Sequence, residues 1–71
     1  MLGKPKYKVD DIVKFNIDNT ELIGQVFIVD AYGTFFQNEE VSYDIMVDDS
    51  PYGGACLFKH IRESMLSKGD D

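Results

Sequence analysis

The side chains best suited to acid–base or metal chemistry in this sequence are two pairs of adjacent acids. These pairs are Glu39-Glu40 and Asp48-Asp49. Two carboxylates can serve as general acid and general base or can bind Ca²⁺, but adjacent residues of a strand or loop are expected to point in different directions. The spaced Asp-x-Asp-x-Asp-Gly loop of a calcium site is also missing from the sequence. Neither pair therefore predicts a catalytic or metal site.

The only cysteine, Cys56, and the only histidine, His60, could in principle form a nucleophile and its base. Four residues apart on a predicted strand, they would share a face at a separation of roughly 13 Å, which is too far for direct activation. His60 has no other identifiable carboxylate or thiol partner. A single cysteine excludes an internal disulfide, and no cluster has metal-ligand spacing. We therefore predict no catalytic residue, metal or cofactor, and a protein that is not an enzyme.

Length and composition are those of one small globular domain. The chain has 71 residues, of which 44% are hydrophobic and 28% are charged. A domain of this size buries only roughly 60% of its unfolded surface, so its stability depends on one compact core. The first residues lack the apolar stretch of a signal peptide, and no segment has the length of a membrane span. A soluble, cytoplasmic protein is expected.

The pattern of apolar residues predicts a chain organised around one long strand at residues 21–32. Leu22, Val26 and Ile28 fall on one face of this strand, with Gly24 between them. A glycine weakens a strand interior, but it suits a position where a long strand bends and carries pairing from one sheet to another. The pattern therefore indicates a small barrel.

Four shorter strands and one turn complete the predicted chain. Strands are predicted at residues 13–17, 21–32, 41–48, 55–59 and 65–68, with a 3₁₀ turn at 60–64. The residues predicted to form the core are Val13, Phe15, Ile17, Val26, Ile28, Ile45, Val47, Leu57 and Ile61.

Five short strands, a bent second strand and a 3₁₀ turn before the last strand together resemble the SH3-like barrel of SH3, Tudor and KOW domains. The start Val9-Asp10-Asp11-Ile12-Val13 is similar to the Val-Gly-Asp-x-Val start of such barrels, with Asp10 where glycine is usual. The resemblance implies an all-β fold, a small five-stranded antiparallel SH3-like barrel, over residues 9–68. A basic lead-in at 1–8 would precede the barrel, and a tail at 69–71 would follow it.

The resemblance narrows the function only a little. The chain has no Trp and none of the motifs of SH3 domains that bind proline-rich peptides, so that activity is not implied. The stretches at residues 43–47 and 56–64 also look like parts of small uncharacterised bacterial and phage proteins of this fold, a likeness that carries no activity with it.

Charge is distributed unevenly along the chain. The net charge is −6, and no Lys or Arg lies between Lys14 and Lys59, a stretch that contains eight acids. In an SH3-like barrel the first and last strands pair, which would gather the basic ends on one side and the acids on the other. The acidic side either keeps the protein soluble or receives a cationic partner.

Aromatic residues near the acids favour a binding role for that side. Aromatic rings beside carboxylates suit Lys or Arg side chains through cation–π contacts and ion pairing. Phe35 and Phe36 could instead cap the barrel, and Tyr43 fits the core better than a binding surface. The predicted function is a small non-catalytic binding module for a protein with a cationic surface. Its predicted contact residues are Tyr32, Phe35, Phe36, Asp44, Asp48, Asp49 and Tyr52.

Two alternatives involve nucleic acid. The basic terminal strands could contact nucleic acid directly, although a net charge of −6 and a pI near 4.5 oppose this. For such direct contact, the residues that could form a basic patch are Lys4, Lys6, Lys8, Lys14 and Lys59. In the second alternative, the acids imitate a phosphate backbone and block a nucleic-acid-binding protein. Neither the partner's identity nor the oligomeric state follows from the sequence.

Overall fold

Alternating apolar residues build five antiparallel strands and one 3₁₀ turn in the computed structural model, which describes residues 3–32 and 40–69. The order is β1 (Ile12–Ile17), β2 (Thr20–Asp30), β3 (Ser42–Ser50), β4 (Gly54–Arg62), a 3₁₀ turn (Glu63–Met65) and β5 (Ser67–Lys68). The all-β class, the five antiparallel strands and the position of the 3₁₀ turn before the last strand are confirmed. Within the described ranges, no helix is long and apolar enough to cross a membrane.

The strands form one sheet in the order β4-β3-β2-β1-β5. The first and last strands pair as expected, with Val13 opposite Lys68 and Lys14 opposite Ser67. β4 and β5 occupy the two edges and do not pair with each other, so the sheet is open. Pairing of the first and last strands brings Lys14 and Lys68 together, whereas Lys59 lies on β4, which pairs with neither β1 nor β5.

The long strand β2 changes its pairing partner halfway along. Residues 20–25 pair with β1 and residues 25–30 pair with β3, so that Gln25 has a partner on both sides. This transfer of pairing was predicted at Gly24, and the structure places it one residue later. On the N-terminal side of Gln25 in β2, and on the C-terminal side of Met46 in β3, the two strands are no longer paired.

The buried core contains most of the residues that alternation predicts. Ile28 is an error in that prediction, since its side chain is 43% exposed. Phe27 is an extra residue in β2 opposite β3, and this β-bulge shifts the alternation by one position after Val26. Ile17 is only partly buried, and so is Leu57. The buried apolar residues are Val13, Phe15, Leu22, Val26, Ala31, Val41, Tyr43, Ile45, Val47 and Ile61.

A second bulge explains why β4 is longer than predicted. Lys59 and His60 together oppose Asp44, and His60 adopts a φ of 60°. The backbone N–H of His60 donates a hydrogen bond of 3.0 Å to Oδ1 of Asp44, which satisfies a donor that the bulge removes from the ladder. The strand therefore continues to Arg62, and the 3₁₀ turn begins at Glu63 instead of residue 60.

The turn before β1 is closed by local hydrogen bonds and contains an unusual backbone conformation. The N–H of Asp11 donates to the carbonyl of Lys8, and Asp10 between them has a φ of 80°. Such a φ at the third residue of a four-residue turn is typical of a type II turn, which favours glycine there. The turn also extends the sheet, because the N–H of Asp10 donates to the carbonyl of Val26 and the N–H of Val26 donates to the carbonyl of Asp11.

We expect Asp10→Gly to stabilise the protein by about 0.5–1 kcal/mol. Glycine relieves the strain of a positive φ, while the variant loses one exposed hydrogen bond from Gln25 Nε2 to Asp10 Oδ1. Urea unfolding of the two proteins measures the difference, and Asp10→Ala serves as the control because it loses the same bond without relieving strain. A stability of Asp10→Gly equal to that of Asp10→Ala would contradict the assignment of strain at this position.

Candidate functional site

A third bulge places two adjacent carboxylates on the exposed surface. Val47 pairs with Cys56 and Ser50 pairs with Gly54, so Asp48 and Asp49 lie together in the interval that Ala55 alone fills on β4. Both aspartates are exposed while Val47 and Ser50 on either side are buried. The bulge therefore leaves two consecutive aspartates exposed in place of the usual alternation of buried and exposed residues.

Asp48 and Asp49 line a groove of about 420 Å³ between β2 and β3. Ile12, Ile23 and Met46 supply apolar surface within the groove, and Glu21 adds a third carboxylate. Ile12 and Ile23 are more than a third exposed, which is unusual for such large apolar side chains on a small sheet. The full lining consists of Ile12, Glu21, Leu22, Ile23, Gly24, Gln25, Met46, Asp48 and Asp49. The groove thus combines apolar and acidic surface.

The groove exists because β2 and β3 separate on one side of the Gln25–Met46 pair. At the closed end the two strands are in tight contact: a Cβ on Gly24 would lie 2.6 Å from the carbonyl oxygen of Met46. From there β2 follows β1, while β3 follows β4. The predicted change of sheet along β2 is therefore also what opens the site.

The three carboxylates of the groove have no partner among the residues that the structure describes. Within residues 3–32 and 40–69, the side chains of Glu21, Asp48 and Asp49 make no hydrogen bond and no ion pair. Lys14 is the nearest base by register, since it lies opposite Ile23 on β1, yet it forms no ion pair with them. The negative charge is therefore available to a cation from outside, next to apolar surface that can contact the rest of the ligand.

Tyr52 lies in the turn between β3 and β4, at the same end of the sheet as Asp48 and Asp49, and contacts the turn between β1 and β2. Its hydroxyl donates a 3.2 Å hydrogen bond to Oδ2 of Asp18 in the turn between β1 and β2, and its ring centroid lies 6.1 Å from that of Phe58. Loss of water around the hydroxyl, together with the Asp18 carboxylate, raises the pKa of Tyr52. The side chain is 56% exposed, so one side of its ring remains open to a partner.

The other predicted contact residues do not join this site. Asp44 is only 8% exposed and accepts a hydrogen bond from the backbone N–H of His60, whose Nδ1 lies 3.9 Å from the same Asp44 oxygen. The expectation that His60 has no carboxylate near it is therefore wrong. Tyr32 is 72% exposed but follows the end of β2, at the opposite end of β3 from Tyr52. Phe35 and Phe36 lie outside the described residues. Asp48, Asp49 and Tyr52 are therefore the predicted residues that the structure brings to one end.

Sequence reasoning missed Glu21, Ile23 and Met46 as members of the site. The sequence does contain one indication of a contact surface at Ile23: this large apolar residue lies on the polar face of a strand whose other face is already apolar. The same signal is present at Ile12, which interrupts the alternation of β1. Such a residue indicates a contact surface only when it lies beside another of its kind, and that adjacency depends on the β1–β2 register.

The described residues contain no group of three or more His, Cys, Asp or Glu side chains arranged to hold a metal ion. Cys56 is partly buried, and its Sγ accepts a 3.2 Å hydrogen bond from Oγ of Ser50.

Comparison with known proteins finds no relative of this chain. The chain matches no protein-family model, no curated protein and no solved structure. The class of the protein is therefore defined by its own geometry, a five-stranded antiparallel sheet with an acidic and apolar groove where its second and third strands separate.

Proposed function

We propose that this protein is a small non-catalytic binding module that holds a cationic segment of a protein partner in the groove between β2 and β3. The observation that carries the proposal is the set of three unpaired carboxylates beside the exposed apolar surface of Ile12 and Ile23. Charges of one sign that lack internal partners attract a ligand of the opposite sign, and the apolar surface supplies contact area that charge alone does not.

The proposal includes an SH3-like architecture of the KOW or Tudor type, related to small bacterial or phage proteins. The strand order, the shared strand β2 and the 3₁₀ turn before β5 support it. Asp10 adds support, because its φ of 80° occurs at the position where such barrels usually carry glycine. A cytoplasmic location is also part of the proposal, and the free thiol of Cys56 is compatible with a reducing compartment.

Nucleic acid is a weaker candidate as the direct partner. Lys14 and Lys68 are neighbours on β1 and β5, but Lys59 lies at the other edge of the sheet. Strand pairing thus joins only two of the basic side chains on a protein with a net charge of −6, whereas phosphate binding is favoured by a continuous basic surface.

The test is a titration with a labelled peptide of sequence Lys-Val-Lys-Val-Lys, blocked at both ends. We expect salt-sensitive binding, and an approximately tenfold loss of affinity in the triple variant Glu21→Gln/Asp48→Asn/Asp49→Asn, because each exposed ion pair contributes about 0.5 kcal/mol. Asp49→Asn alone should weaken binding by about twofold. Glu40→Gln is the matched control: it also removes one negative charge, but it lies at the other end of β3.

Two results would count against this function. Equal affinities of the wild type and the triple variant would show that the groove carboxylates do not hold the peptide. Salt-sensitive binding of a short DNA duplex at about 50 mM salt, without binding of the peptide, would favour nucleic-acid contact through the basic strands.

A further inference from the structure

The groove is bordered by strand backbone with which no other described strand pairs. Residues 20–24 of β2 pair only with β1, and residues 47–50 of β3 pair only with β4. In an antiparallel strand, successive residues direct their N–H and C=O groups to opposite sides. Each of these segments therefore leaves every second residue with a backbone donor and acceptor directed away from its partner strand, on the side where the groove lies.

We propose that the partner segment enters this groove as an extended strand and pairs with the free edge of β2 at residues 20–24. This inference rests on the proposed function and specifies its binding mode, β-strand addition. β2 is the better template of the two free edges because its pairing with β1 is regular from Thr20 to Gln25. The corresponding part of β3 carries the bulge at Asp48 and Asp49, and a bulge interrupts the even spacing that an added strand needs.

The side chains of the groove define the chemistry of the added strand. Side chains of a strand alternate between its two faces, so every second residue of the segment would point the same way. One set would lie on the exposed face of β2, where Glu21 and Ile23 are found, and would reach the carboxylates of the groove. The other set would lie on the face of Leu22 and Gly24, which is buried and apolar. The fitting partner is therefore an extended segment in which Lys or Arg alternates with apolar residues.

The outer edge of β4 is the main competing site for strand addition. β4 has nine residues, and no described strand pairs with its outer side. However, His60 forms a bulge within it, and Lys59 and Arg62 give this edge positive charge. Bulges and charged side chains disfavour strand addition, and like charge repels a cationic segment. The charges of the two edges therefore direct a basic strand to the groove.

The experiment compares two peptides of equal charge on the full-length protein. One is the blocked peptide Lys-Val-Lys-Val-Lys, and the other has the same sequence with both valine nitrogens methylated, which removes two N–H donors. We expect the unmethylated peptide to bind at least fivefold more tightly, since two backbone hydrogen bonds contribute about 1–3 kcal/mol together. Amide exchange followed by NMR should show new protection within residues 20–24 and none on β4 at residues 54–58.

Each other result is decisive. Equal binding of both peptides, weakened by the triple carboxylate variant, would overturn strand addition while the proposed function stands. New protection on β4 in place of β2 would overturn the groove as the site of strand addition. If neither peptide binds, the proposed function fails and this inference fails with it.

Discussion

Gly24→Ala is expected to destabilise the protein by about 2–3 kcal/mol. The added Cβ would lie 2.6 Å from Cγ2 of Ile45 and 2.6 Å from the carbonyl oxygen of Met46. Ile45 is fully buried, and the Met46 carbonyl belongs to a strand paired on both sides, so neither atom can withdraw without distorting β3. Interiors packed at this density respond to an extra methyl group with shifts of side chains and backbone.

This loss is large for a chain of 71 residues, whose total stability is expected to be about 4–10 kcal/mol. With a urea m-value of about 1 kcal/mol per molar for a small domain, the unfolding midpoint should fall by about 2 M or more. The same substitution should weaken binding of the cationic peptide in conditions where the variant is still folded, because Gly24 forms the closed end of the groove.

Gly53→Ala is the matched control for Gly24→Ala. Gly53 lies in the turn between β3 and β4 with a φ of 103°, and a Cβ there would meet no atom within 4 Å. It should lose about 1–2 kcal/mol through backbone strain alone and should leave peptide binding unchanged. Losses of equal size in the two variants would mean that the tight contact between β2 and β3 is not what requires glycine at position 24.

The sequence predicts the strands of this fold well because alternation reports directly on which side of a strand is buried. Val13, Phe15, Val26, Ile45 and Val47 are core residues for that reason. What alternation does not report is a bulge. The run Val26-Phe27-Ile28-Val29 is apolar throughout, so the sequence does not show which of these side chains point into the core. Only pairing with β3 shows that Phe27 is the extra residue.

The candidate site was predictable only in part, for a related reason. Asp48 and Asp49 were identified from charge and position, but the exposure of both depends on a bulge against β4. Asp44 has the same charge and a similar place in the sequence, yet it is buried, and the N–H of His60 offsets part of the cost of burying its carboxylate. Glu21 belongs to the groove because β2 and β3 separate beside it, which is a property of the assembled sheet.

The second large effect concerns Tyr43, which anchors the N-terminal segment to the core. The side chain is 1% exposed, and its hydroxyl donates a 2.6 Å hydrogen bond to Oε2 of Glu63. The N–H of Tyr7 donates to the Tyr43 oxygen at 3.3 Å, and the N–H of Lys6 donates to the same Glu63 oxygen at 3.0 Å. The Tyr7 ring packs edge-on against Tyr43, at 5.7 Å between centroids. Residues 6 and 7 are therefore held in place by Tyr43 and Glu63.

Burial and the hydrogen bond to Glu63 raise the pKa of Tyr43 above its ordinary value. The folded protein thus holds the phenol proton more tightly than the unfolded chain does. The resulting stability is fully present below about pH 10, the ordinary pKa of tyrosine, and is lost as the pH rises above it. Ionisation would also place a phenolate against the Glu63 carboxylate at hydrogen-bonding distance. Alkaline unfolding should therefore begin with this pair.

We expect the free energy of unfolding to fall between pH 10 and 12, by at most about 1.4 kcal/mol per pH unit from this group. Urea unfolding at pH 8, 10, 11 and 12 measures it. Tyr43→Phe should be less stable by about 1 kcal/mol at pH 8, because Glu63 loses a donor, but its stability should decline less steeply above pH 10. Tyr32→Phe, at an exposed tyrosine, controls for the removal of any phenol and should retain the wild-type slope. If Tyr43→Phe loses stability as steeply as the wild type, ionisation of Tyr43 is not coupled to unfolding, and the alkaline limit lies elsewhere in the chain.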